Sequence, residues 1–206
     1  MLIEQPPLLY RLLFPEAVWR VKFRREPTVF LTFDDGPIPE VTPWVLDLLD
    51  SKQVKATFFM VGDNVRRHPR LLDEVIRRGH SVGNHTMHHL QGMKVPSQRY
   101  LRDISEAAAL IDSRLYRPPH GIMRWGQARV IRHHYDIIMY DVVTRDYSRK
   151  LTPDRVFDNV RRYTRNGSII VFHDSLKAER NMREALPRAI DWLREQGYAF
   201  ATLPME

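Results

Sequence analysis

Short apolar runs alternate along the chain with longer segments in which apolar side chains recur every three or four positions. The runs at 29–33, 56–61, 81–83, 115–117, 137–140, 169–172 and 199–203 read as strands. The segments at 41–51, 64–78, 97–113, 127–134, 153–165 and 182–196 read as helices. Asn64 caps the second of these helices, and Gly79 and Gly197 end two of them. Most of the strands are apolar on successive positions rather than on alternate ones, so both faces are covered. That pattern belongs to a parallel sheet flanked by helices. The expectation is an α/β fold of about seven parallel strands in one domain, either open or closed as a barrel. No internal repeat, low-complexity tract or linker divides the chain.

Residues 1–27 precede the first βα unit and are expected to pack, as an N-terminal extension, on the main domain formed by residues 28–206. Within the extension, Leu8, Leu9, Leu12, Leu13 and Phe14 have helical spacing and are expected to face the domain. The segment is broken by Glu4, Arg11, Glu16 and three prolines and lacks a basic leader and an uninterrupted apolar core. It therefore reads as no signal peptide, and no run is long enough to span a membrane. The expected location is cytoplasmic, with association to an envelope or membrane left open. Nothing in the sequence fixes the oligomeric state.

Composition narrows the chemistry. There are no cysteines among the 206 residues, which excludes disulfides and thiolate metal sites, so a bound metal would take histidine and carboxylate ligands. The net charge is +7, but Arg66, Arg67, Arg77, Arg78, Arg161, Arg162 and Arg165 are scattered over helix faces with no interleaved aromatic motif. Nucleic acid is not an expected partner.

The polar residues worth chemical scrutiny follow the apolar runs. Asp34 and Asp35 follow the first, His85 and His89 the third, Arg117 to Gly121 the fourth, Asp146 the fifth and His173 the sixth. Strand C-termini are where (β/α) barrels carry their chemistry. Adjacent carboxylates point in different directions and can do different work. His85 and His89, four apart, suit one face of a helix and a two-point metal grip, and His88 competes with His89 on spacing alone. Asp35 with two histidines leaves positions open for water or substrate, as a hydrolytic site requires.

Thr32 to Pro37, His85 to His89, Arg117 to Gly121, Asp146-Tyr147 and Ile170 to His173 occur in the order of five motifs of one family. The chain resembles the polysaccharide deacetylases, the NodB-homology domain of carbohydrate esterase family 4, over nearly its whole length. The resemblance implies a distorted (β/α) barrel and metal-dependent removal of N-acetyl groups from an N-acetylated carbohydrate, of chitin-oligosaccharide or peptidoglycan type. It implies a divalent metal, zinc first and cobalt as another candidate, on Asp35, His85 and His89. By the same resemblance Asp34 is the catalytic base, Arg117 its partner, His173 the general acid and Asp146 the carboxylate that orients it. His120, Tyr147 and Ile170 match substrate-binding positions.

The sequence departs from the family pattern at four points. His120 stands for tyrosine, Val143 for aspartate, Tyr147 for tryptophan and Ile170 for leucine. The His120 and Val143 exchanges keep two alternatives in view. One is a hydrolase of a non-sugar amide or cyclic imide on the same barrel, and the other a catalytically silent carbohydrate-binding relative.

Overall fold

The run opening at Thr28 is buried at every position through Asp34, and its side chains divide between two environments. Val29, Leu31 and Phe33 join the core under the helices, whereas Phe30 joins a smaller cluster with Phe59, Leu115, Ile138, Ile169 and Leu203. Alternation along one strand thus separates an outer core from a barrel interior. The structure is a computed structural model that describes residues 4–21 and 26–203.

Its strands are β1 Thr28–Asp34, β2 Thr57–Met60, β3 Ser81–Asn84, β4 Leu115–Tyr116, β5 Asp136–Ile137, β6 Val142–Val143, β7 Ile169–His173 and β8 Ala199–Phe200. The helices are α1 Leu8–Leu13, α2 Thr42–Ser51, α3 Gly62–Arg67, α4 Pro69–Arg77, α5 Ser97–Ala108, α6 Trp125–Ile131, α7 Pro153–Tyr163 and α8 Glu179–Glu195. The strands run in the order β5-β4-β3-β2-β1-β7-β6, every pairing parallel, with β8 beside the N-terminal end of β1. This is the distorted (β/α) barrel that the resemblance implies, left open along a seam between β5 and β6. Because β2 lies midway in the order, it stands opposite the seam.

The N-terminal segment lies in that seam. Val18 N–H donates to Ile137 O at 2.8 Å, Met139 N–H donates to Val18 O at 2.8 Å, and Val21 N–H donates to Gly167 O at 2.9 Å. Gly167 has φ +81°, and a Cβ there would lie 1.7 Å from Val21 O, so only glycine fits. Asp141, fully buried, accepts from Arg11 at 2.7 Å, from Arg165 Nε and Nη2 at 2.8 Å and from Ser168 Oγ at 2.8 Å.

Four readings of the sequence need correction. The helix over 64–78 is two helices, because Pro69 excludes helical geometry at His68 (φ −131°, ψ 56°) and then starts α4. The run at 137–140 is not one strand: β5 ends at Ile137, the chain crosses the seam, and Asp146 follows β6. His85 and His89 do not lie on a helix; both are on the loop after β3. Leu8, Leu9, Leu12 and Leu13 face outward, each more than half exposed, because Tyr10 and Phe14 supply the inward stripe of α1. Among the described residues, no helix is long and apolar enough to cross a membrane.

Candidate active site and metal centre

Parallel pairing places two of the candidate residues side by side. Asp34, last in β1, is in register with His173, last in β7. Since side chains alternate, His173 and Val171 point into the barrel mouth with Asp34. Ile170 therefore points the other way, into the outer core, and Val171 lines the pocket in its place.

Arg117, following β4, is fully buried beneath the mouth. Its guanidinium donates to Asp34 Oδ1 at 2.6 Å, Thr32 Oγ1 at 2.8 Å and Met139 O at 3.0 Å, and lies 4.0 Å from the Phe59 ring centre. Burial lowers its pKa, opposed by the Asp34 carboxylate. Every strong contact of the guanidinium is internal, so it fixes Asp34 rather than reaching for solvent.

Asp35 turns away from its neighbour because its backbone is left-handed, with φ 82°. The turn is braced from β7: Gly36 N–H donates to Asp174 Oδ1 at 3.1 Å and Thr42 Oγ1 donates to Asp174 Oδ2 at 2.6 Å. A Cβ at Gly36 would lie 2.0 Å from Asp174 Oδ2. Burial pushes the Asp174 carboxyl up to about 8.

The loop after β3 is shaped by Asn84 and Asp103. Thr86 N–H donates to Asn84 Oδ1 at 2.8 Å, and Asp103 Oδ2 accepts from the Met87 and His88 amides at 3.0 Å. Asp103 Oδ1 also accepts from His88 Nδ1 at 2.6 Å. That bond turns His88 away and leaves His89 facing Asp35, with Nε2 to Oδ1 at 3.1 Å. His85 Nδ1 donates to Arg117 O at 2.8 Å, so its Nε2 lone pair faces Asp35 Oδ1 at 3.9 Å. Burial lowers His85 to about 4, keeping it neutral. Burial alone would raise Asp35, but His89, His173 and His85 hold its carboxyl well below the usual range.

One donor atom from each of Asp35, His85 and His89 lies within 4.8 Å of the other two. Tetrahedral ligands about 2.1 Å from an ion stand roughly 3.4 Å apart, between the two separations given above. A neutral imidazole with a fixed tautomer, a second imidazole and an ionised carboxylate are what a divalent ion of zinc type requires, so the residues fit the group. His88, Asp103 and Glu106 also cluster, but Asp103 is already occupied by the loop amides.

Across the mouth, Asp146 accepts from His173 N–H and from His173 Nδ1, both at 2.8 Å. Burial opposes charge on the imidazole, but Asp146, with Asp35 and Asp34, raises it to about 9. Protonated and anchored at Nδ1, the ring presents Nε2–H to the pocket. Tyr147 packs edge-on against it, ring centres 4.9 Å apart. His120, at φ 60°, lies 4.8 Å from the His89 ring.

Asp35, Thr86, His89, His120 and Arg145 all have positive φ around the mouth. Such conformations cost about 1–3 kcal/mol each and persist where surrounding structure imposes them. The resulting pocket is about 380 Å³, and Pro6, Tyr140, Val143 and Lys177 also line it. Sequence reading did not single out Pro6 or Tyr140, which the seam brings in, or Lys177, on the loop after β7, because no motif spacing marks them.

Fold and site together define a (β/α)-barrel hydrolase whose mouth joins a two-histidine, one-carboxylate donor set to a buried Asp–Arg pair and an Asp–His pair. Residues 22–134 match the family model described as polysaccharide deacetylase. A peptidoglycan-N-acetylglucosamine deacetylase of Bacillus cereus is 31% identical over 195 residues, covering 91% of each chain. A chitooligosaccharide deacetylase of Sinorhizobium fredii is 33% identical over 198 residues, covering 86% of this chain and 91% of the relative. The crystal structure of the Bc1960 peptidoglycan N-acetylglucosamine deacetylase, in complex with 4-naphthalen-1-yl-N-oxidanyl-benzamide, superposes with TM-score 0.88 at 28% identity over 97% of this chain and 95% of that one. The chain belongs to the polysaccharide deacetylase family.

Proposed function

We propose that the protein hydrolyses the N-acetyl amide of an N-acetylated sugar, using a divalent ion held by Asp35, His85 and His89, with zinc the first candidate and cobalt the second. One observation carries the reading. A buried carboxylate fixed by an arginine and a histidine held protonated by a carboxylate face the same pocket, next to the donor set.

An amide resists hydrolysis because its carbonyl is a weak electrophile and its amine a poor leaving group. The bound ion supplies Lewis acidity, which polarises a carbonyl and lowers the pKa of water from 15.7 towards about 7. Asp34 accepts the proton of the attacking water, and Arg117 keeps its carboxylate aimed at the pocket. The His120 N–H, on a turn that lines the pocket, is the donor to the developing oxyanion. His173 Nε2–H donates to the departing amine, while Asp146 holds the ring and its charge. Tyr147 and Val171 shape the wall against which the acetyl group and sugar rest.

The test is acetate release from a panel of N-acetylated glycans, with chelator and with zinc or cobalt added back. Release from chitin oligosaccharides or peptidoglycan fragments that stops with chelator and returns with metal is the expected result. Hydrolysis confined to small cyclic imides would overturn the sugar assignment.

A further inference from the structure

The barrel mouth is asymmetric. On the seam side it is walled by the N-terminal segment. Glu4 O accepts from Val143 N–H at 2.8 Å and the Glu4 carboxylate pairs with Arg145. Pro6 is buried and lines the pocket, and its carbonyl accepts from Arg11 Nε at 3.1 Å. Arg11 is itself tied to Asp141, and Tyr10 Oη donates to Gly121 O. Residues 4–10 therefore run as a tethered strap from the end of β6 to the turn after β4, closing the side that the missing β5–β6 pairing leaves open.

The opposite side is different. A second cavity of about 440 Å³ meets the first at Asp35 and His89 and extends past the ends of β1 and β2. Val61, Asp63, Asn64 and Arg67 line it, together with Ile38 and Ser175, and no strap residue touches it. Asn64 Nδ2 donates to Asp35 O at 2.7 Å, so its wall is continuous with the donor set. By strand order this cavity lies across the mouth from the seam.

We propose that the strap makes the protein selective for a terminal sugar. The reacting N-acetylated unit sits against Pro6 with no room beyond it, and the remainder of the substrate leaves through the cavity lined by Ile38, Asn64 and Arg67. The substrate class is then a short oligosaccharide or a glycan chain end, not an interior unit of a polymer. A pocket of about 380 Å³ is at the lower end of the ~300–1,000 Å³ typical of ligand sites, which matches one sugar and its acetyl group rather than a run of them. The inference rests on the deacetylase reading above.

The experiment uses the full chain with zinc and the hexamer of N-acetylglucosamine, locating each lost acetyl group by tandem mass spectrometry. Wild type is expected to favour one end unit over interior units by about tenfold or more, within the range that pocket exclusion achieves. In the Glu4→Ala/Pro6→Gly double variant the ratio of interior to terminal loss rises by about fivefold, since the strap no longer excludes a unit beyond the reacting one. Even loss along the wild-type hexamer overturns the inference while leaving the deacetylase reading intact. So does a folded double variant, judged by its melting temperature, with the wild-type ratio. Absence of acetate release from the hexamer and the dimer alike overturns the reading of the site itself, and the strap's role with it.

Discussion

The β1–β7 side of the barrel mouth and the β5–β6 side perform opposite parts of the same task. On the first, a parallel ladder from Phe30–Ile169 to Asp34–His173 fixes Asp34 and His173 beside each other through backbone hydrogen bonds. On the second no ladder exists, and closure depends on a segment from the other end of the sequence, held by Val18, Val21, Arg11 and Tyr10. The difference separates proposed chemistry from shape: Asp34 and His173 end two paired strands, while the wall proposed to limit the substrate is tied on by individual contacts. Substitutions at Asp34 and His173 should therefore damage catalysis or the whole fold, and those at single contacts of the N-terminal strap should cost little.

The largest effect is expected at His173. His173→Ala should lower kcat/KM for the amide by about 10²–10⁴-fold, while an activated acetyl ester, whose leaving group needs no proton, loses far less. Equal losses would remove His173 from the role of acid. The wild-type pH profile sharpens the same point. A folded pKa of about 9 lies above the ordinary value of 6.5, so the ring stays protonated through neutral pH and loses its proton as pH rises through 9. Amide hydrolysis should fall on that alkaline limb, and a cation on Asp35 moves the limb to lower pH by opposing one of the carboxylates that raise it.

Arg117, which follows β4, tests whether the carboxylate that ends β1 depends on its buried partner. Arg117→Met leaves the Asp34 carboxylate buried without its counter-charge, a loss that typically costs about 3–5 kcal/mol. Urea unfolding of the metal-free protein measures it. A cost below about 1 kcal/mol would mean that Asp34 finds water or another partner, and that the fixed pair is not what aims the carboxylate.

The two sides were also unequally legible in the sequence. Val29 to Phe33 and Ile169 to Phe172 announce buried parallel strands, so Asp34, Asp35 and His173 could be placed at strand C-termini from spacing alone, and the family resemblance supplied the barrel. Position along a strand did not reveal which way Ile170 points, because a run that is apolar on both faces carries no alternation. Val171 took the pocket for that reason. The choice between His88 and His89 depended on Asp103, which lies on α5 and is close only after folding. The seam was least legible. Short strands such as β5 and β6 give weak signals, and the leucines of α1 dominate a pattern whose inward residues are Tyr10 and Phe14.

Asp103 is the brace of the donor loop, and its removal is expected to act on metal affinity. Asp103→Ala frees the His88 amide and ring and leaves the Met87 N–H only its 3.1 Å bond to the Asp103 carbonyl, so the loop holds His89 at φ 54° against Asp35 less firmly. Outer residues that orient metal ligands typically contribute 10–100-fold in affinity, and a loss of about that size is expected. Calorimetric titration of the metal-free variant with zinc reads it directly. Unchanged affinity would show that the loop is set by the backbone bonds of Thr86 and Met87 to α3 instead.

The smallest effect belongs to the seam. Tyr10→Phe removes the hydroxyl that donates to Gly121 O but keeps the ring packed against Phe14 and Trp19, with centres 5.6 Å apart in both pairs. A single hydrogen bond of this kind contributes about 0.5–1.5 kcal/mol, and that is the expected loss in unfolding free energy. Because Asp34, His173 and the donor loop make no contact with this hydroxyl, zinc affinity should stay at the wild-type value. If Tyr10→Phe weakened zinc binding as much as Asp103→Ala, the strap would be part of the machinery that positions the donors. The division between a ladder that holds the chemistry and a strap that shapes the pocket would then fail.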